Sequence, residues 1–195
     1  MQILVTKRQL VSSMIVVMDK KILSTPRLYL REIDPEDLDF LVDLHSDPEV
    51  MKYIGPLRNA KQVERRLKSI RSGYKATPGF GIWLACKDSN TQPIGWACLK
   101  DLDQTREIEV GYRLAKQFWG KGYATELTVG LLNYGFNEIG LQQIVAVARP
   151  DNTASIRVLS KAGLVFEKMA YYYKSKVVYY RITKSEYEAA SRTKK

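Results

Sequence analysis

Two glycines stand two positions apart in the stretch QFWGKGYATE, which covers residues 117–126. The residue pattern predicts a strand before Gly120 and a helix after Gly122. A helix that begins at such a turn presents unpaired N–H groups at the positive end of its dipole, and anions bind to these groups. Glycine also lets a backbone come close to a ligand. The turn therefore indicates a phosphate site, although tight packing alone also explains two glycines.

Two common phosphate-binding motifs do not match this turn. The P-loop needs a Ser or Thr after a Gly-Lys pair, and here Gly122 follows Lys121. The dinucleotide fingerprint needs a third glycine three residues after the second, and that position holds Thr125. The sequence therefore predicts neither of these two sites.

Two glutamates precede the turn in a predicted strand over residues 106–115. Side chains alternate between the faces of a strand, so Glu107 and Glu109 share one face. Burial raises the pKa of a carboxyl group towards neutrality, which suits a general base acting directly or through water. A solvated strand glutamate is the alternative, and it fits Glu107 better than Glu109.

The stretch DNTASIRVLSKAG, residues 151–163, predicts a short helix that ends at Gly163. Asp151 or Asn152 is the expected N-cap, and Ser155 is a polar residue in the first turn. Capping alone explains these polar side chains without any chemistry.

Metal chemistry has little support in the sequence. The chain has one histidine, His45, and two cysteines, Cys86 and Cys98, without the spacing of metal ligands. We therefore predict no metal site, and we interpret both cysteines as small core residues in a reducing compartment.

The elements around these residues follow the order β, α, α, β, β, β, α, β, α, β, β. A first helix is predicted to start at Asp34, an N-cap followed by Pro35, and a second helix covers residues 59–76. This order predicts one α/β or α+β domain with a single sheet.

The chain has 195 residues, a formal net charge of +10 and a pI near 9.5. The charge indicates an acidic partner, such as nucleic acid, a ribosome, a phosphate-bearing cofactor or anionic lipid, or else serves solubility. No apolar run approaches the ~20 residues of a membrane span, and no clear signal-peptide cleavage site is present. We predict a cytoplasmic protein with a loose leader over residues 1–24, a domain over residues 25–187 and a basic tail over residues 188–195.

The glycine turn resembles motif A of the GNAT superfamily of acyl-CoA-dependent N-acetyltransferases, Q/R-x-x-G-x-G/A, here from Gln117 to Gly122. The stretches TPRLYLRE, SDPEVMKYIG, EVGYRLAKQFWGKGYATE and RPDNTASIRVLSKAG are similar, in order and spacing, to the RimJ/RimL type of ribosomal-protein N-terminal acetyltransferase. The similarity covers about residues 25–187. It implies that the anion is the pyrophosphate of coenzyme A.

The resemblance also implies the architecture: a mixed, mostly antiparallel sheet flanked by helices, with central strands that splay apart around the glycine turn. Acetyl-CoA is then the co-substrate, and its pantetheine arm lies between the splayed strands. The implied cofactor-binding residues are Tyr112, Arg113, Leu114, Gln117, Gly120, Lys121, Gly122, Tyr123, Ala124, Asn152 and Ser155.

For catalysis, the resemblance favours Glu109 as the base that takes a proton from the amine. Relatives carry a tyrosine seven residues after the asparagine that matches Asn152, and this chain has Leu159 there. Ser155 is therefore the candidate acid for the departing thiolate, and solvent is its competitor.

The predicted acceptor is a primary amine, and the subgroup resemblance makes a protein N-terminal α-amine the first choice. Residues 45–53 and 171–174 are expected to border its site. Polyamines and aminoglycosides are less suitable, because a protein of charge +10 repels them. The alternative class is a basic ribosome- or RNA-binding module with a vestigial CoA site, although the signatures of common RNA modules are absent. The sequence leaves monomer and homodimer open.

Overall fold

One sheet of eight strands crosses residues 21–192, the part of the chain that this computed structural model describes. The strands are β1 (Lys21–Ser24), β2 (Leu28–Arg31), β3 (Gly81–Lys87), β4 (Pro93–Asp101), β5 (Ile108–Leu114), β6 (Gln143–Ala148), β7 (Val165–Tyr172) and β8 (Ser175–Thr183). Their order in the sheet is β1-β2-β3-β4-β5-β6-β8-β7. Neighbouring strands are antiparallel except β5 and β6, which are parallel.

Helices flank this sheet. Within the described residues they are α1 (Leu38–Ser46), α2 (Pro48–Met51), α3 (Ala60–Ala76), α4 (Tyr123–Asn133), α5 (Thr153–Lys161) and α6 (Lys184–Arg192). Short 3-10 turns cover Pro35–Asp37 and Lys116–Phe118, and a π turn continues α4 over Tyr134–Glu138. The mixed, mostly antiparallel sheet with flanking helices confirms the predicted fold class.

The sheet opens between its two central strands. β5 pairs with β4 at every residue from Ile108 to Leu114. In the described chain it pairs with β6 at Glu109 alone, opposite Val145. Beyond Glu109, the edge of β5 that faces β6 therefore keeps its backbone groups free of strand pairing. The predicted splay is confirmed.

The two faces of β5 meet different cores. Val110 and Leu114 pack in the core that lies under α4 and α5. Arg113 points to the other face, where its guanidinium lies 4.8 Å from the ring centroid of Trp96, a residue of the core under α1 and α3. Strand alternation thus separates the residues of this strand into two environments.

Local capping determines where the helices near the cleft begin. Asn59 caps α3 in a reciprocal pair with Gln62, through hydrogen bonds of 2.9 and 3.0 Å. Asn152 caps α5, as one of the two predicted alternatives. Asp34, predicted to cap a helix, instead caps the 3-10 turn that precedes α1. Such caps each contribute ~1 kcal/mol to helix stability.

Two predicted boundaries need correction. Residues 21–24, assigned to the loose leader, form β1, because their backbone pairs with β2 and Leu23 packs over Gly130 of α4. The predicted tail from residue 188 continues α6 to Arg192, since Tyr187 anchors that helix on Phe136 with ring centroids 5.0 Å apart. Residues 1–20 and 193–195, the rest of both segments, lie outside the described residues.

Candidate active site

A cleft of about 470 Å³ lies beside β5, where this strand and β6 separate. Its walls come from β5, the glycine turn, α4, α5 and the α2 region. Most of the predicted cofactor-binding residues line it: Tyr112, Arg113, Leu114, Gly120, Gly122, Tyr123, Ala124, Asn152 and Ser155. Gln117 and Lys121 are exposed and do not line the cleft, although Lys121 Nζ lies 5.7 Å from the ring centroid of Phe118, which does.

The glycine turn has the backbone conformation that only glycine adopts readily. Gly120 has φ +72° and Gly122 has φ +79°, both in the left-handed region. Gly122 is the N-cap of α4, and the space around Gly120 is open, since an added Cβ would meet no atom within 4 Å. The first N–H groups of α4 are therefore accessible to an anion from the cleft.

Two residues distant in sequence, Thr25 and Arg27, hold this turn in place. Glu126, in the first turn of α4, accepts hydrogen bonds from Thr25 Oγ1 at 2.6 Å, from Arg27 N at 2.8 Å and from Arg27 Nε at 2.6 Å. Arg27 Nη1 also donates to the Lys121 carbonyl at 3.1 Å. Burial raises the pKa of Glu126, but the hydrogen bonds from Thr25 and Arg27 outweigh it and lower the pKa overall.

Ser155 lies at the start of α5, close to a phenol on β5. Asn152 Oδ1 accepts a hydrogen bond from Ser155 N at 3.1 Å, which leaves the serine hydroxyl free of the cap. Tyr112 Oη donates to Ser155 Oγ at 3.2 Å across the gap between β5 and α5. Burial raises the pKa of Tyr112, and the bond to Ser155 only partly offsets this. Leu159, at the position where relatives carry tyrosine, is buried in the core.

Glu109 is buried at the apex of the opening, but it does not line the cleft. Its Oε1 forms an ion pair with Lys100, the residue opposite on β4, and accepts a hydrogen bond from Tyr173 Oη at 2.6 Å. Burial lowers the pKa of Lys100, but the charge and hydrogen bond of Glu109 outweigh it and raise that pKa overall. Burial and Glu109 raise the pKa of Tyr173 to about 12.

The family model of the acetyltransferase (GNAT) domain matches residues 27–165, which is most of the chain. The chain belongs to the GNAT acetyltransferase family. It is therefore an acyl-CoA N-acyltransferase, and the sequence-based predictions of family and enzyme class are confirmed.

Relatives of this GNAT acetyltransferase include two bacterial proteins of similar length. "Uncharacterized N-acetyltransferase p20" of Bacillus licheniformis is 35% identical over 149 residues, which cover 75% of this chain and 82% of that protein. "Putative ribosomal N-acetyltransferase YdaF" of Bacillus subtilis is 35% identical over 172 residues, which cover 82% of this chain and 92% of that protein. A solved GNAT-family acetyltransferase from Bacillus anthracis shares the fold, with a TM-score of 0.72 at 24% identity, over 84% of this chain and 98% of that one.

Glu107 of this acetyltransferase is not the solvated glutamate that its pattern predicts. Its Oε1 accepts hydrogen bonds from Tyr179 Oη at 2.6 Å and from Gln143 Nε2 at 3.5 Å. The pKa of Tyr179 is raised by burial and by the charge of Glu107. The tyrosine comes from β8, which strand alternation within β5 does not reveal.

Sequence reasoning also missed two features of the acetyltransferase site. The hydrogen bonds from Thr25 and Arg27 to Glu126 join residues about a hundred positions apart, so no local sequence pattern predicts them. Glu49, on α2, is the carboxylate that lines the cleft within the described residues. The segment of residues 45–53 was expected to border the acceptor site, and four of its residues line the cleft: Glu49, Val50, Lys52 and Tyr53.

Two kinds of functional feature, a metal site and a membrane-spanning helix, have no candidate in residues 21–192. This part of the chain contains no group of three or more His, Cys, Asp or Glu side chains arranged to hold a metal ion. None of its helices is long and apolar enough to cross a membrane.

Proposed function

We propose that this GNAT acetyltransferase moves the acetyl group of acetyl-CoA to a primary amine, with a protein N-terminal α-amine as the first acceptor class. The observation that carries the proposal is the one-sided pairing of β5. Its free edge lies in the same cleft as the N-terminus of α4.

The residues of the cleft fit acetyl-CoA. The edge of β5 at Tyr112 offers unpaired backbone groups to the amides of a pantetheine arm. The backbone groups of Arg113, like those of Ala115, face β4, so this residue offers less backbone to the cofactor than predicted. The amides that follow Gly120 and Gly122 offer donors to a pyrophosphate. The Leu114 carbonyl already accepts a hydrogen bond from Trp119 Nε1 at 2.8 Å, so this residue contributes less than predicted.

Cationic side chains support the same proposal. Arg157 and Lys161, one helical turn apart on α5, line the cleft together with Lys52. They supply positive charge for the phosphates of the co-substrate. Lys121 and Gln117, both exposed next to the glycine turn, remain proposed contacts of the co-substrate.

Glu109 is the proposed base. It lies at the apex of the splay, next to the edge that would hold the thioester. Its Oε1 is held by the ion pair with Lys100 and by the hydrogen bond from Tyr173, which fix the position of the carboxylate. Because Glu109 does not line the cleft, a water molecule is needed to carry the amine proton to it.

Ser155 is the proposed acid. Acetyl-CoA, when bound, supplies the activated acetyl group and a thiolate that needs a proton. The Tyr112 hydroxyl donates to Ser155 Oγ, which leaves the serine proton free to point towards that sulfur. This hydrogen bond also makes the serine hydroxyl a better donor, and a dry cleft strengthens the effect.

The acceptor assignment draws on similarity and charge. YdaF, a relative by sequence, carries a name that assigns it to ribosomal N-acetylation. This supports a RimJ/RimL-type role, ribosome association and a protein N-terminus as acceptor. Polyamines fit poorly, because the net charge of +10 and the cationic cleft lining repel them. The free, buried thiols of Cys86 and Cys98 support a reducing compartment, the cytoplasm.

Two measurements test the proposal. Calorimetry should show acetyl-CoA binding in the absence of nucleic acid, and a panel of N-terminal peptides and small amines should show acetyl transfer by mass. A protein that ignores acetyl-CoA but binds RNA with an affinity that falls steeply with salt would instead be the basic RNA-binding module.

A further inference from the structure

Three arginines are close enough for their charges to act on one another, and Arg113 among them points to the face of β5 opposite α4. They are Arg113 on β5, Arg66 on α3 and Arg58 in the loop between α2 and α3. Burial and the charges of the other two lower the pKa of Arg113 to about 9. Partial desolvation and the charge of Arg58 also lower the pKa of Arg66, although this residue is exposed to solvent.

No carboxylate balances these charges. Within residues 21–192, none of the ion pairs involves Arg58, Arg66 or Arg113. The nearby carboxylate of Glu109 is paired with Lys100, and Glu49 is an exposed residue at the cleft. Arg66 is exposed and Arg58 half-buried, so the unfavourable charge is that of Arg113, a buried guanidinium without a counter-charge unless an anion enters the cleft.

Arg113 is the central residue of the cluster. It is 8% exposed and lines the cleft. Its Nη1 contacts Met51 Sδ at 3.3 Å, and its buried Nε has no hydrogen-bond partner. Breaking up a buried charge pair is costly because an uncompensated charge remains, and Arg113 is in that state without a ligand. A carboxylate would supply both the missing charge and the missing acceptor.

His45 completes the surroundings of the cluster. It is buried, its Nδ1 donates to the Leu41 carbonyl at 2.7 Å, and its Nε2 has no partner. Burial, together with Arg113 and the other two arginines, lowers the pKa of His45 to about 4. The imidazole is therefore neutral at pH 7 and adds a polar group without another positive charge.

The side of the sheet decides which ligand meets Arg113. The glycine turn and α4 pack on the face of Val110 and Leu114, where the phosphates are proposed to bind. Arg113 points to the opposite face, towards Met51 and Trp96. The segment of residues 45–53, expected to border the acceptor, lies on this face. The anion is therefore assigned to the acceptor and not to the phosphates.

We propose that the acceptor amine carries a carboxylate close to the amine, and that Arg113, assisted by Arg58 and Arg66, binds this carboxylate. The inference rests on the proposed acetyl transfer and specifies its substrate class. Two sources share this chemistry: the α-carboxylate of a free amino acid and the side-chain carboxylate of an acidic first residue of a peptide. In the reaction the amine nitrogen forms the new bond to the acetyl carbon, the thioester C–S bond breaks, and the carboxylate is unchanged.

Matched acceptors test the inference. Glutamate is compared with its α-amide, and peptides that begin with Asp or Glu are compared with peptides that begin with Asn or Gln. We expect kcat/KM to be about tenfold or more higher for the acidic member, as for a hydrogen-bonded charge. A preference for glutamate over its α-amide identifies the amino-acid source, and a preference among peptides identifies the acidic N-terminus. Equal rates for acidic and neutral members of both series overturn the inference.

Variants of the arginines test which side chain causes the preference for acidic acceptors. Arg113→Gln should abolish the preference by raising the KM of the acidic acceptors, and Arg66→Gln should weaken it. Arg65→Gln, an exposed neighbour on α3, is the matched control and should keep it. Calorimetry on the same proteins should show that the affinity for acetyl-CoA changes much less than the KM of the acidic acceptors, because Arg113→Gln leaves the backbone of β5 in place. Loss of acetyl-CoA binding in the wild type would defeat the proposed function, whereas normal binding with no acidic preference defeats only this inference.

An NMR titration of His45 tests the inference on the wild-type protein, without an activity assay. His45 is the single histidine of the chain, so its imidazole protons give one identifiable NMR titration. N-acetylglutamate should raise the pKa of His45, because its carboxylate offsets the nearby arginine charges, and the uncharged diamide of N-acetylglutamate should not. A His45 titration that is unaffected by saturating N-acetylglutamate overturns the inference, even if Arg113→Gln fails to fold.

Discussion

The Tyr112 hydroxyl donates a hydrogen bond of 3.2 Å to Ser155 Oγ and so joins β5 to α5 across the opening of the sheet. The family resemblance implies a phenol on the helix itself, at the position that Leu159 occupies here. In this chain, a phenol reaches the same helix from the neighbouring strand. The proton for the leaving thiolate can therefore come from a serine that a tyrosine polarises.

We predict that Ser155→Ala lowers kcat by about tenfold to a hundredfold, below the usual range for a well-matched acid because a serine hydroxyl is a weak one. Tyr112→Phe should lower kcat less, since it removes only the polarising hydrogen bond. Acetyl-CoA affinity should change little in either variant. Stopped-time assays and calorimetry check this, and a normal kcat in Ser155→Ala would show that water supplies the proton.

A bulky residue in the glycine turn should weaken acetyl-CoA binding. In Gly122→Val, the β-branched side chain is forced into φ +79° at the N-cap of α4 and distorts the amides that face the cleft. Gly140→Val is the matched control, because Gly140 has φ +81° and does not line the cleft. Both variants should lose a similar ~1–2 kcal/mol of stability. Unchanged acetyl-CoA affinity in folded Gly122→Val would contradict the proposed phosphate site.

Loss of the contacts that Arg27 makes behind the glycine turn should also weaken acetyl-CoA binding, but less than Gly122→Val does. Arg27→Gln removes the 2.6 Å ion pair with Glu126 and the contact with the Lys121 carbonyl. We expect the Kd for acetyl-CoA to rise about tenfold, equivalent to ~1.4 kcal/mol. Lys21→Gln, which removes an exposed ion pair with Asp88, serves as control and should leave the Kd unchanged. Equal Kd values for both variants would limit Arg27 to a structural role outside the site.

Variants of Glu109 and Glu107 test which carboxylate acts as the general base. Glu109→Gln should lower kcat by about 10²–10⁴-fold and remove the acidic limb of the pH profile. Glu107→Gln, which loses the bond to Tyr179, should affect stability and leave that limb in place. If Glu109→Gln lowers the melting temperature but leaves kcat and the pH profile intact, the ion pair with Lys100 is structural, and Glu49→Gln becomes the next variant to measure.

Because His45 is buried in its neutral form, the free energy of unfolding should decrease as the pH falls below 6.5. Its pKa is lowered from 6.5 to about 4 in the folded state by burial and by Arg113. The unfolded chain therefore takes up a proton near pH 6.5 that the folded protein accepts only near pH 4, so the free energy of unfolding falls as the pH drops through this window. The expected loss is about 3 kcal/mol. Denaturant melts of wild type and His45→Asn from pH 7 to pH 4 measure it, and parallel curves for the two proteins would contradict it.

Short-range features of this site could be predicted from the sequence. The two glycines, the helix after them and the Asn152 cap each depend on a few neighbouring residues, whose backbone preferences act locally. Strand alternation correctly placed Glu107 and Glu109 on one face, apart from Val110. The motif order was specific enough to predict the family and the splayed sheet before any contact was known.

The partners of those residues were decided by the tertiary structure. Lys100 meets Glu109 because of the register between β4 and β5, and Tyr173 reaches the same carboxylate from the turn between β7 and β8. The cluster of Arg113, Arg66 and Arg58 likewise forms where a strand, a helix and a loop converge. A local pattern determines which way a side chain points, but which charge it meets depends on packing between segments far apart in the chain.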